Sequence, residues 1–165
     1  MKTTLALSLF ALTLYAGSVG AANELEFEAE LSGAQEVPPV DTRVKGEASF
    51  EVNDDYSKIE YSVKVKTRGE VGVGLLGAAC AHIHCAPEGQ NGPVVAFLAG
   101  VVSGGFDGTV KFSATLTGDN IVNDACGATI VDLVNSMSNG LTYVNVHSLA
   151  NPTGEVRGQI RSEDD

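Results

Sequence analysis

Asn23-Glu24-Leu25-Glu26-Phe27-Glu28-Ala29-Glu30-Leu31 alternates without a break. Leu25, Phe27, Ala29 and Leu31 share one parity, and glutamates fill the other. Successive side chains of a strand point to opposite faces, so this is a strand with one buried and one wet side. The same period returns downstream. Val44 to Val52 and Lys58 to Lys66 alternate on either side of Asn53-Asp54-Asp55, which reads as a β-hairpin with a polar turn. Between the first two strands, Ser32 to Pro39 ends in two prolines that cannot donate to a ladder, so it is an ordered loop.

Further along, Val71 to Ala79 is small and apolar, a loop or an irregular strand. Strands are expected at Ala79 to Ala86, Pro93 to Leu98, Phe106 to Thr117, Leu141 to His147 and Glu155 to Ile160. Turns at Pro87 to Gly92, Ser103-Gly104-Gly105 and Asn151-Pro152-Thr153-Gly154 separate most of them, and the acidic tail from Ser162 should fray. One segment changes period. Ile130, Leu133, Val134 and Met137 fall at i, i+3, i+4 and i+7, which predicts a short helix over 127–138. Asn123 or Asp124 is expected to cap its start and Asn139-Gly140 to close its end. The fold class is therefore mainly β: an antiparallel, Greek-key-like β-sandwich or flattened barrel with one short helix.

Residues 1–22 read as a secretory signal peptide: Lys2, an apolar run from Leu5 to Tyr15, then small residues suited to cleavage. Residues 23–165 make one domain. The chain carries 10 Lys+Arg and 21 Asp+Glu, a net charge of −11; without the signal, which contains only Lys2 as a charge, it is −12. Such acidity disfavours nucleic-acid binding. No stretch reaches the length of a membrane span. The expected location is the exported side of a membrane, periplasmic or secreted.

Export makes one disulfide plausible among Cys80, Cys85 and Cys126. Cys80 and Cys85 have opposite parity on one strand and pair poorly. Cys85–Cys126 is preferred, with Cys80 free. The alternative is Cys85 as a soft metal ligand.

The histidines carry the chemistry. His82 and His84 are two apart on a strand, hence on one face and roughly 6.5–7 Å apart along the chain. His147, the remaining one, lies in another β-like run. If the two strands are neighbours, three imidazoles can share a metal at about 2.0–2.1 Å each, copper being favoured and zinc the runner-up. Such binding should weaken below pH ~6.5, where imidazole protonates. Tyr143, Asn145 and His147 share parity, so Tyr143, Asn145, Glu155 and Gln159 either surround the metal, with Asn145 or Glu155 orienting an imidazole, or form a solvated strand face. Arg157 either guides an anion or pairs with Glu36 to pin the neighbouring loop.

Five stretches together resemble the CHRD family, named for the domain repeated in chordin. They are Leu31-Ser32-Gly33-Ala34-Gln35-Glu36-Val37-Pro38-Pro39-Val40, Ala81-His82-Ile83-His84, Asn91-Gly92-Pro93-Val94-Val95, Tyr143-Val144-Asn145-Val146-His147 and Gly154-Glu155-Val156-Arg157-Gly158-Gln159-Ile160. Chordin binds growth factors outside cells, so the resemblance implies an extracellular domain with a protein partner. A weaker similarity adds chemistry. His82, His84 and His147 look like the copper ligands of copper/zinc superoxide dismutases, and Arg157 looks like their anion-guiding arginine. Those enzymes also use a bridging histidine and further zinc ligands, and this chain has no histidine left for them.

Three functions follow as expectations: an exported metal-binding protein, a metal-free extracellular interaction module, and a dismutase-like redox enzyme. No glycine-framed serine nucleophile and no phosphate-binding glycine loop is present.

Overall fold

A computed structural model describes residues 25–67, 81–98 and 108–163. The signal peptide expected over 1–22, the apolar stretch from Val71, Cys80, the glycine break at Ser103 and Phe106 lie outside the described residues.

Among the described residues, nine strands form a single antiparallel sheet that curls into a half-barrel. They are β1 (Leu25–Ser32), β2 (Lys45–Val52), β3 (Lys58–Lys66), β4 (Ala81–Cys85), β5 (Val94–Phe97), β6 (Thr109–Thr117), β7 (Thr142–Val146), β8 (Val156–Gln159) and β9 (Arg161–Ser162). The order is β5-β4-β7-β8-β1-β2-β3-β6, with β9 also on β1. β8 returns beside β1 of the β1-β2-β3 meander, the placement of the closing strand in a Greek key. The chain leaving β6 bridges from Ile121 to Ala96 of β5, which draws the two ends of the sheet together.

Alternation explains the registers. Phe27 lies opposite Phe50, and Phe50 opposite Tyr61; Ala29, Ala48 and Val63 form the next row. Both rows face inward and are buried. Fully burying a side chain such as Phe27 stabilises by about 1.5–3 kcal/mol, which fixes the register against a one-residue slip. On the wet side, Glu47 pairs with Lys64 at 2.7 Å, an exposed contact worth little by itself.

The expected helix is α1 (Ile130–Ser138), and Ile130, Leu133, Val134 and Met137 are its buried stripe. Its cap differs from the expectation. Thr129, not Asn123 or Asp124, caps it: the Thr129 hydroxyl accepts from Asp132 N–H while the Asp132 carboxylate accepts from Thr129 N–H. This reciprocal box satisfies two otherwise orphaned donors. Asn123 and Asp124 instead close the preceding turn, accepting from Ala125 N–H and Gly127 N–H. Asn139 caps the far end, and Gly140 turns the chain at φ 64°.

Cys85 and Cys126 are joined, with Cα atoms 5.6 Å apart. The bridge ties the end of β4 to the segment before α1. It also removes the Cys85 sulfur from the possible metal ligands.

Candidate metal centre

β4 lies between β5 and β7, and β7 between β4 and β8. Across these strands, His82 stands opposite Asn145, and Asn145 opposite Arg157; His84 stands opposite Tyr143, and Tyr143 opposite Gln159. These side chains share the face opposite Ile83 and Val144, which are in the hydrophobic core. The pairing that the three-histidine site required is therefore present.

This face is not a solvated one. Tyr143, Asn145, Arg157, Gln159 and His82 are all buried on it. Two loops cover them. Asn145 Nδ2 donates to Glu36 Oε2 at 3.1 Å, reaching the 33–43 loop. Arg157 donates to Gln90 O at 2.7 Å and to Asn91 Oδ1 at 3.1 Å, reaching the 86–93 loop. Asn91 Nδ2 then donates to Val37 O at 2.8 Å, tying one loop to the other. Gln159 holds Ala86 O and Gly140 O. The sheet thus has a polar core on one side and an apolar core on the other. Alternation reveals which side a residue takes, and gives no sign of a loop folded over that side.

His147 lies one residue past β7, and its ring turns toward the pair. Ring centroids are 4.8 Å apart for His82 and His147, 5.5 Å for His82 and His84, and 6.5 Å for His84 and His147. The potential ligand nitrogens all lie within 4.8 Å of one another. Ligands about 2.0–2.1 Å from one ion sit roughly 3–4 Å apart, so the cluster would close by about 1 Å around a metal.

The tautomers follow from the partners. Nδ1 of His84 is 2.9 Å from Gly92 O, and Nδ1 of His147 is 3.1 Å from Pro152 O. A carbonyl only accepts, so both Nδ1 atoms donate and both Nε2 atoms keep a lone pair. The Nε2 of His84 is buried with no partner. The Nε2 of His147 faces Nδ1 of His82 at 3.1 Å, which makes His82 the donor in that contact. Backbone carbonyls that aim imidazole nitrogens in this way are the usual support of metal ligands. An orphaned buried lone pair beside two further imidazoles fits a metal ion.

Desolvation pushes all three histidines below their ordinary pKa, and His82 falls to about 4, with His147 and His84 adding to the effect. Neutral imidazole is the ligating form, so the set stays competent below the pH of ~6.5 expected for free imidazole.

The supporting residues make the following contacts. Tyr143 stacks on His84, with planes 10° apart and centroids at 4.8 Å, and carries the Arg157 guanidinium 3.5 Å from its ring centroid. Arg157, 2 % exposed, clamps Gln90 and Asn91; no hydrogen bond from it to Glu36 is seen. Asn145 serves Glu36 rather than an imidazole. Glu155 accepts from Thr42, from Ser148 at 2.6 Å and from Asn151 at 2.5 Å. It so shapes the turn that carries Pro152 O, and reaches His147 only through that backbone. The direct imidazole partners, Gly92 O and Pro152 O, are main-chain atoms that no residue-type pattern marks. The motif containing Gly92 was the available signal. Phe97, edge-on to His82 at 5.1 Å, was also missed.

Glu36 gives a pH test. It is 6 % exposed, and burial raises its pKa from 4.5 to about 7, against the opposing pull of Asn145 and Arg157 and with a further push from Glu155. The folded state therefore holds this proton up to about pH 7, whereas the unfolded chain releases it near 4.5. The stabilisation is complete below 4.5 and lost as pH rises through 7. Glu36→Gln should raise the melting temperature at pH 8 and change it little at pH 5. Equal shifts at both pH values would show that ionisation of Glu36 is not the cause.

The family model of the CHRD domain matches residues 27–160. Comparison with curated proteins gives no match, and comparison with solved structures gives none.

Proposed function

The chain belongs to the CHRD domain family, and from that premise we propose that it is an extracellular metal-binding domain, with copper as the preferred ion and His82, His84 and His147 as ligands. The observation that carries this reading is the buried, unpartnered Nε2 of His84, beside a His147 Nε2 whose lone pair is met only by the His82 Nδ1 proton. The family supports an extracellular setting, and so does the signal read in residues 1–22. No helix among the described residues is long and apolar enough to cross a membrane.

Dismutase-like turnover has less support. The arginine that would guide an anion is buried and committed to Gln90 and Asn91. Interaction with an extracellular protein remains the reading to adopt if no metal binds.

The test is metal analysis and copper titration of protein exported through its own signal. One equivalent should bind, and His82→Ala should abolish stoichiometric binding while keeping the fold. Copper bound equally well by His82→Ala would refute the site.

A further inference from the structure

We propose that this site is built for monovalent copper, Cu(I), held by three neutral imidazoles without an anionic ligand; this rests on the metal-binding reading above and adds the charge of the ion. Among the described residues, the metal-competent cluster contains three histidines and no Asp, Glu or Cys. Each ring is desolvated. The cost of burying an ion grows with the square of its charge, so a divalent ion with no carboxylate beside it costs about four times as much as a monovalent one.

The nearest organised charge has the wrong sign for a divalent ion. β4 and β8 flank β7, so the Tyr143 ring stands between His84 and Arg157. It stacks on His84 and carries the guanidinium 3.5 Å from its centroid. The two hydrogen bonds of Arg157 go to neutral acceptors, Gln90 O and Asn91 Oδ1, so no carboxylate is hydrogen-bonded to the guanidinium, although Glu36 attracts it from further off. Phe97 adds an apolar wall against His82. A positive field in a low-dielectric setting opposes each added charge on the metal.

Coordination number points the same way. Zinc takes four ligands and would have to draw its fourth from water, since no fourth histidine, thiolate or carboxylate joins this cluster among the described residues. Cu(I) is satisfied by three neutral donors in a plane. His84 and His147 each present Nε2, and His82 presents Nδ1 once its proton moves to Nε2.

The experiment measures three affinities on the purified protein: Cu(I) by competition with a coloured Cu(I) chelator without oxygen, and Cu(II) and Zn(II) by direct titration. Cys80→Ser protein is run in parallel, because a thiol also binds Cu(I). Cu(I) should bind about a hundredfold more tightly than Cu(II), placing the bound couple about 118 mV above the aqueous one at 59 mV per tenfold. Cys80→Ser should retain this preference. Cu(II) or Zn(II) bound as tightly as Cu(I) would overturn the inference and leave the metal-binding reading standing. A Cu(I) affinity that vanishes in Cys80→Ser would assign the ion to the thiol and overturn the inference. Binding of no metal at all would overturn both.

Discussion

Arg157→Ala is expected to destabilise the metal-free protein by about 3–5 kcal/mol. Three losses add up. Gln90 O and Asn91 Oδ1 lose their donors at 2.7 and 3.1 Å. The cation over Tyr143 disappears, an interaction worth about 0.5–2 kcal/mol, depending on desolvation. The side chain, 2 % exposed, leaves a cavity between the sheet and the 86–93 loop. Because Asn91 also holds Val37 O, both covering loops lose an anchor. Arg157→Lys should recover little, since an ammonium has neither the planar stacking surface nor the fork that reaches two acceptors. Urea unfolding of the three proteins checks this. A cost below about 1 kcal/mol for Arg157→Ala would mean that the loops are held by other contacts.

Gly92→Ala is expected to damage the site and the fold together. A β-carbon there would lie 1.9 Å from Cys85 O and 2.6 Å from Cys85 C, both backbone atoms that a side-chain rotation cannot move. The loop must shift away from β4. Two bonds span that gap: His84 Nδ1 to Gly92 O at 2.9 Å, and Cys85 N–H to Pro93 O at 3.0 Å. Tyr143 Oη also accepts from Gly92 N–H, at 3.3 Å. The stability cost should be about 2–4 kcal/mol, within the range for clashes at a packed backbone position. Loss of the carbonyl that orients His84 should lower metal affinity about 10–100-fold. Gly89→Ala is the control, because nothing lies within 4 Å of its added carbon, although its φ of 76° carries a backbone strain of its own. Titration of folded Gly92→Ala below its melting temperature separates the two effects. Unchanged affinity would show that Gly92 O does not position the ligand.

The strands were legible because burial on one side imposes a period of two. The glutamates of 24–30 and the apolar residues between them place β1 on paper, and the β2–β3 hairpin follows from Asn53-Asp54-Asp55. The α1 stripe was visible for the same reason at a different period. Its cap was misplaced because Thr129-x-x-Asp132 competes with two other good capping residues, and only the position of the first turn decides among them. The Cys85–Cys126 bridge was reachable by parity, which put Cys80 and Cys85 on opposite faces.

By itself, the sequence determined which face of its strand each residue takes, and hence that His82 and His84 point the same way and Ile83 the other. That information is local: it comes from backbone geometry, which the neighbouring residues share. The tertiary structure alone decided what lies over that face. Loops 33–43 and 86–93 fold across β4, β7 and β8, turning what alternation reads as wet surface into a buried polar core. The same folding brings Gly92 O and Pro152 O to the imidazoles and sets their tautomers. These contacts join main-chain atoms to side chains of other elements, and every residue type carries the same carbonyl, so no pattern of side chains could announce them.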